Sequence, residues 1–214
     1  MGYRLRVALK TAVWVAALWP LGTLVRGFFT DDLGANPIDT VTRTLGLTAL
    51  VLLLSSLGMT PLRIVFGWSW PIQLRRLLGL LAFFYVLVHF SVWIGLDHFF
   101  DWPRMWEDVR KRPFITVGML ALALLLPLAA TSTTGMIKRM GGANWRLLHK
   151  LAYVIGTLGV LHFLWLSKKG RTTAYYYAIT LAVLLGVRLW DWLRKRWRRA
   201  SVETARRPTA AREA

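Results

Sequence analysis

The chain alternates between long apolar blocks and short polar connections, and this pattern predicts a bundle of membrane-spanning helices. Each block approaches the ~20 residues that a helix needs to cross a bilayer. The six blocks are residues 7–28, 41–59, 77–96, 114–131, 147–166 and 174–193. No stretch shows the strict alternation of apolar and polar residues that is typical of a half-buried strand. The pattern therefore predicts an all-α fold, a six-helix bundle that is integral to a membrane.

The charges between the blocks predict how the bundle is oriented. The first connection, residues 30–40, carries aspartates and no basic residue, whereas arginines lie near the N-terminus, after the second and fourth blocks and after the sixth. Because basic residues concentrate on the cytoplasmic side, both termini are predicted to be cytoplasmic. One connection disagrees, since Lys168, Lys169 and Arg171 fall on the predicted outer side.

Composition narrows the classes of partner and cofactor. The 214 residues are 56% hydrophobic and carry a net charge of +18. In a soluble protein this charge would suggest nucleic acid, but here the basic residues flank apolar blocks, where they contact anionic lipid headgroups. We therefore expect membrane lipid and no nucleic acid as a partner. The chain has no cysteine, which excludes disulfides and thiolate ligands, so a metal or haem must be held by histidine, methionine or carboxylate.

The histidines are the candidate ligands, and there are four of them. His89 lies in the third block and His162 in the fifth, at similar predicted depth, because both blocks run in the same direction. Two imidazoles on facing helices at one depth can bind a single haem iron from both sides. The alternative is that each is an ordinary polar residue bonded to a carbonyl of another helix. His98 falls in the polar connection after the third block, where no cofactor role is expected, although it could lie on a docking surface.

His149 begins the fifth block and has no histidine partner. On a continuous helix it would lie about 20 Å from His162, with the two side chains within roughly 60° of each other. The residue at the matching position before His89 is Arg76. His149 therefore either binds a second haem with a non-histidine ligand, lies beside a flavin or quinone, or contacts headgroups. A basic cluster at this end could clamp haem propionates or a flavin phosphate, or could be ordinary cytoplasmic charge; it comprises Arg75, Arg76, Arg146 and Lys150.

Several short segments, in this order and spacing, resemble a known membrane family. They are LGANP at 33–37, MTPLR at 59–63, RRLLGL at 75–80, LVH at 87–89, RPFITVG at 112–118, TST at 131–133, WRLLH at 145–149 and LHFLW at 161–165. The chain resembles the ferric reductase-like transmembrane domain of NADPH oxidases and metalloreductases. The finer similarity is to the MsrQ (YedZ) family of haem-binding membrane subunits.

The resemblance implies b-type haem held by His89 and His162 in a bacterial inner membrane protein. It implies electron transfer from the quinone pool or a cytosolic flavin reductase to a periplasmic molybdopterin enzyme of the MsrP type, which reduces methionine sulfoxide. FMN is implied by the resemblance alone. The oxidases carry two histidines on each of these spans for two haems, whereas Arg76 stands at one of those positions here. One haem is therefore expected, and a second stays open.

Residues 1–193 are expected to form the transmembrane haem domain, and residues 194–214 a basic cytoplasmic tail. No independent substrate site is evident, so an electron-transfer subunit is expected rather than a complete enzyme. Two alternatives remain. One is a stand-alone ferric or cupric metalloreductase that uses the acidic first connection, and the other is a haem-free permease or scaffold.

Overall fold

The computed structural model describes residues 2–167 and 172–210. Within these residues the chain forms nine α-helices, which are α1 Tyr3–Phe29, α2 Pro37–Phe66, α3 Arg75–Val92, α4 Trp102–Lys111, α5 Pro113–Ala130, α6 Thr134–Met140, α7 Gly142–Leu148, α8 Leu151–Leu166 and α9 Thr173–Ala210. A 3₁₀ turn, Trp70–Leu74, leads into α3, and a π-helical turn, Trp93–Asp97, extends it.

Six helical segments are long and apolar enough to cross a membrane, and the described residues contain no strand. These segments are Tyr3–Phe29, Pro37–Phe66, Trp70–Asp97, Pro113–Ala130, Gly142–Leu166 and Thr173–Ser201. The predicted all-α, membrane-integral six-helix bundle is confirmed. The orientation remains a prediction, and the discordant basic residues Lys168, Lys169 and Arg171 lie outside the described residues.

Two helices run further than the apolar blocks predict. The second helix continues from residue 59 through Pro61 and ends before Gly67, whose φ of 72° is left-handed and whose N–H donates to the Arg63 carbonyl. Glycine adopts this conformation without the steric cost that a Cβ would bring, and it ends the helix here. The last helix continues past residue 193 to Ala210.

The fifth span is interrupted, and here the prediction of one regular helix over residues 147–166 is wrong. Helix α7 ends at Leu148 and α8 begins at Leu151. The N–H groups of Lys150 and Tyr153 donate to carbonyls three residues back, at Leu147 and Lys150. Such bonds tighten the backbone relative to an α-helix. The predicted relation between His149 and His162 assumes an unbroken helix and stays a prediction.

The hydroxyls after α5 satisfy helix-end groups, as the sequence suggests. Thr131 and Ser132 donate to the carbonyls of Pro127 and Leu128. Thr133 accepts from the N–H of Met136 and so caps the start of α6. These bonds fix the connection that leads from the fourth span into α7.

Helix α2 is the centre of the bundle, and α1 is its most peripheral span. Helix α2 packs against α1, α3, α8 and α9, while α8 packs mainly against α5. Much of α1 is exposed on the bundle surface, where lipid would cover it. A polar tether joins it to the third span, because the buried hydroxyl of Tyr85 donates to the carbonyl of Ala17.

Removing this tether is expected to loosen α1. The Tyr85→Phe variant keeps the ring and loses the hydrogen bond, which is worth about 0.6–1 kcal/mol between membrane helices. We expect a lower thermal midpoint for the detergent-solubilised chain. The control is Tyr176→Phe, since the Tyr176 side chain is on the surface and the residue is 66% exposed. Equal midpoints for the two variants would show that the bond adds nothing to stability.

Candidate metal centre and its surroundings

Two imidazoles face each other at one end of the bundle. His89 of α3 and His162 of α8 have ring centroids 6.4 Å apart and ring planes at 87°. A metal–imidazole bond is about 2.0–2.1 Å long, so rings on opposite sides of one metal have centroids roughly 6 Å apart. The structure thus brings together the two histidines that the depth comparison pairs, with room for a metal atom between them. Their role as ligands stays a prediction.

Each of these rings is fixed through one nitrogen. Nδ1 of His89 lies 2.9 Å from the Thr42 carbonyl on α2, and Nδ1 of His162 lies 2.6 Å from the Phe114 carbonyl on α5. A carbonyl only accepts, so both Nδ1 atoms carry the proton and both Nε2 atoms keep a lone pair. Within the described part of the chain, neither Nε2 has a hydrogen-bond partner. Metal-bound histidines usually make such a second bond, which sets the tautomer.

A glycine lies against each of the two rings. A Cβ on Gly46 would lie 3.0 Å from Cε1 of His89, and a Cβ on Gly118 would lie 2.8 Å from Nδ1 of His162. Gly46 lies four residues after Thr42, and Gly118 lies four residues after Phe114. Each glycine is therefore one helical turn beyond the residue whose carbonyl bonds to the ring. Sequence analysis identifies neither glycine as a site residue. The spacing is visible, but glycine is common in membrane helices, so it is a weak signal.

The donor set fits haem better than a bare metal ion. Protein sites for zinc use three or four side-chain ligands. Haem iron brings four nitrogens of its own and takes only axial ligands from the protein. Two opposed imidazoles with free Nε2 atoms match that requirement.

His149 lies at the other end of the bundle and is also held through Nδ1. This atom is 3.0 Å from the Trp145 carbonyl, and the ring stacks on Trp145 with centroids 3.9 Å apart. The indole N–H of Trp145 in turn donates to the Thr131 carbonyl at 2.9 Å. Nε2 of His149 is buried without a hydrogen-bond partner. The residue is therefore positioned inside the bundle, where the Leu128 backbone also interacts with its ring.

The arginines of the predicted basic cluster differ in burial. Arg75 is half-buried, and its carbonyl accepts from the Ser56 hydroxyl. Arg76 and Arg146 are exposed. Their grouping around His149 stays a prediction.

An arginine that sequence analysis overlooks completes this region. Arg188 of α9 donates through Nη1 to the Tyr153 hydroxyl at 2.6 Å and through Nη2 to the Leu57 carbonyl at 2.5 Å. Its Nε is buried without a partner. The sequence feature that could have identified Arg188 is that it is the one arginine within the sixth apolar block.

The sequence predicts that His98 lies in a polar connection, but the structure shows that its side chain is buried. It is 5% exposed, and its Nε2 lies 3.1 Å from Oδ2 of Asp108 on α4. Asp108 also pairs with Arg112 at 3.3 Å. Because the π-helical turn carries the third span further than expected, His98 packs under α4 and fastens that helix to the span. A docking role for the His98 side chain is therefore unsupported.

Comparison with known proteins places the chain in a family. The model of the ferric reductase like transmembrane component matches residues 44–160. A protein-methionine-sulfoxide reductase heme-binding subunit MsrQ from Rhodospirillum rubrum is 49% identical over 187 residues, which cover 87% of this chain and 90% of the relative. The protein of the same name from Herminiimonas arsenicoxydans is 48% identical, with 87% of each chain covered. The one from Xanthomonas axonopodis pv. citri is 46% identical, with 95% and 93% covered. The chain therefore belongs to the MsrQ family of ferric reductase-like transmembrane proteins.

Proposed function

We propose that this chain is the haem b electron-transfer subunit of a methionine sulfoxide reductase system in a bacterial inner membrane. It passes electrons to a periplasmic molybdopterin reductase of the MsrP type, which repairs oxidised periplasmic proteins. Membership of a family whose members are named heme-binding subunits supports this function. The observation that carries it is the opposed pair His89 and His162, with centroids 6.4 Å apart.

The haem would be held by six residues in two matching sets. His89, the Thr42 carbonyl and Gly46 form one set, and His162, the Phe114 carbonyl and Gly118 form the other. When bound, haem supplies a one-electron carrier whose potential its ligands and surroundings tune. If His89 and His162 both bound the iron, they would leave no iron position for a substrate. The residues of this chain hold the carrier in place, and the chemistry of repair belongs to the partner.

The electron balance follows from the partner's reaction. Reduction of one methionine sulfoxide consumes two electrons and two protons and yields methionine and water. A one-electron carrier must therefore be loaded twice for each repaired residue. A quinol, or the reduced flavin of a cytosolic reductase, gives up two electrons and matches this demand. We place electron entry at the end that carries His149.

His149 is proposed to contact the group that receives the electron. Its free, buried Nε2 suits either a second haem with a non-histidine ligand or a flavin or quinone placed beside it. FMN is proposed from the family resemblance. In this account residues 1–193 form the haem domain and residues 194–214 a basic cytoplasmic tail, the first part of which continues helix α9.

The His149→Ala variant tests electron entry. We expect it to keep the spectrum of the His89–His162 site and to slow haem reduction from the cytoplasmic side by about tenfold or more, a change of at least ~1.4 kcal/mol in the barrier. Stopped-flow reduction by a quinol or by a flavin reductase in proteoliposomes measures this rate. Lys138→Gln, which changes an exposed basic residue of α6, is the control. Reduction at the wild-type rate would make His149 a purely structural residue.

A stand-alone metalloreductase would need a substrate site at the acidic first connection. Asp39 there is already paired with Arg43 at 2.6 Å. The decisive assay gives the reduced chain either a ferric chelate alone or an MsrP-type reductase with methionine sulfoxide. We expect reoxidation to be fast only with the partner. Equally fast reoxidation by the ferric chelate would favour the metalloreductase.

A further inference from the structure

Arg188 is a charged side chain inside a membrane span that is turned toward the protein. It lies within the candidate span Thr173–Ser201. Membrane arginines commonly extend along the helix to reach water. Arg188 instead donates inward, to the Leu57 carbonyl of α2 and to the Tyr153 hydroxyl of α8. Arginine stays protonated in proteins, so these neutral partners leave a full positive charge in the bundle.

No carboxylate of the described residues pairs with this charge. The acid nearest along the helix, Asp191, is held by Lys195 at 2.6 Å. The other charge that acts on Arg188 is Arg75, which has the same sign. An uncompensated charge of this kind in a membrane-embedded site is strongly unfavourable. A bound anion would compensate this charge.

Two unsatisfied atoms point to the same region. Nε of Arg188 and Nε2 of His149 are the buried side-chain atoms without a hydrogen-bond partner among the described residues. Arg188 bonds to the Tyr153 hydroxyl at 2.6 Å, and Tyr153 follows His149 by four residues. We call Arg75, His149, Tyr153 and Arg188 the inner polar cluster. It offers one free donor, the Nε–H of Arg188, and an excess of positive charge.

We propose that the inner polar cluster binds an anionic oxygen group, a carboxylate or a phosphate, with Arg188 as its main ligand. Guanidinium donors match the geometry of both groups, and charge-assisted bonds of this kind are strong. The carboxylate would be a haem propionate, and the phosphate would belong to a flavin nucleotide or a phospholipid. If the anion is a haem propionate, the proposal rests on the proposed function. If the anion is a phosphate, it does not.

The experiment compares wild type, Arg188→Gln and Arg198→Gln, using the full chain in detergent. Arg198 is the matched control, because it lies on the same helix, is exposed and carries the same charge. One arm titrates haem-depleted chain with haemin and with haemin dimethyl ester. The other arm measures phosphorus and flavin released from the purified chain by acid.

A propionate source predicts that wild type prefers haemin over its ester by about tenfold and that Arg188→Gln loses this preference. A phosphate source predicts that Arg188→Gln loses the released phosphorus, with flavin fluorescence separating nucleotide from lipid. Either result, absent in Arg198→Gln, supports the site. Unchanged behaviour in both arms overturns it. If the wild-type chain binds no haem, the proposed function is wrong. The phosphorus measurement then still tests whether the inner polar cluster binds an anion.

A purely structural clamp between α9, α2 and α8 is the competing explanation. Arg188→Lys separates the two explanations, and it also serves if Arg188→Gln fails to fold. Lysine keeps the charge but lacks the forked donors. The anion site predicts partial loss of the haemin preference or of bound phosphorus in a folded Arg188→Lys chain. Full retention of both signals in a folded Arg188→Lys chain overturns the proposal.

Discussion

His89→Ala and His162→Ala are each expected to remove most of the low-spin haem absorbance of the purified chain. The reason is that the two rings, 6.4 Å apart, are the proposed ligands of one iron. Loss of an outer-shell partner alone typically lowers metal affinity about 10–100-fold, and loss of a ligand should cost at least as much. Reduced-minus-oxidised absorbance, with haem quantified as the pyridine complex, measures the effect.

His98→Ala is the matched control, since it also removes a buried imidazole from the same bundle and that imidazole has no proposed cofactor role. It should leave the spectrum of the opposed pair in place. If His89→Ala and His162→Ala both retain the full low-spin absorbance, the assignment of these residues as axial ligands fails.

Gly118→Ala and Gly46→Ala are expected to displace the rings without touching either histidine. An added methyl group would lie 2.8 Å from Nδ1 of His162 and 3.0 Å from Cε1 of His89. The neighbouring carbonyl bond prevents each ring from simply moving away, so we expect a large loss of low-spin haem. The loss should be larger for Gly118→Ala, where the approach is closer.

Two other glycines serve as control positions for this test. A Cβ at Gly22 of α1 or at Gly186 of α9 would meet no atom within 4 Å. Alanine is the better helix former by about 1 kcal/mol, so all four substitutions favour the helix itself. Haem loss confined to positions 46 and 118 must therefore come from the contact with the rings. Spectra indistinguishable from that of Gly22→Ala would show that the glycines are not needed to seat them.

The helices could be predicted because a span depends only on the residues within it. The histidine pair could be predicted because depth along a helix increases by a constant rise per residue. A span is recognised from its length and apolar content alone. The pairing of His89 with His162 needs only the constant rise of two helices that run the same way. The sequence comparison independently supports the family to which those segments point.

The remaining features depend on how helices rotate and where they break. Which face of α2 carries Gly46 toward His89 is decided by packing, and the hydropathy pattern does not record it. A tight turn before Leu151 interrupts the fifth span, and the N–H of His98 donates to the Trp93 carbonyl at the end of the π-helical turn. Arg188 lies near the end of an apolar block, where an arginine is typical of a membrane boundary, so its inward contacts could not be foreseen.

The most direct test of the central claim is the near-infrared magnetic circular dichroism spectrum of the oxidised wild-type chain, together with its haem content. Axial ligand pairs of low-spin haem iron differ in this spectrum. The account predicts a bis-imidazole signal that accounts for one haem per chain, with any second haem giving a different signature. A chain that binds no haem under adequate haem supply, or one whose only haem lacks two imidazole ligands, would contradict it.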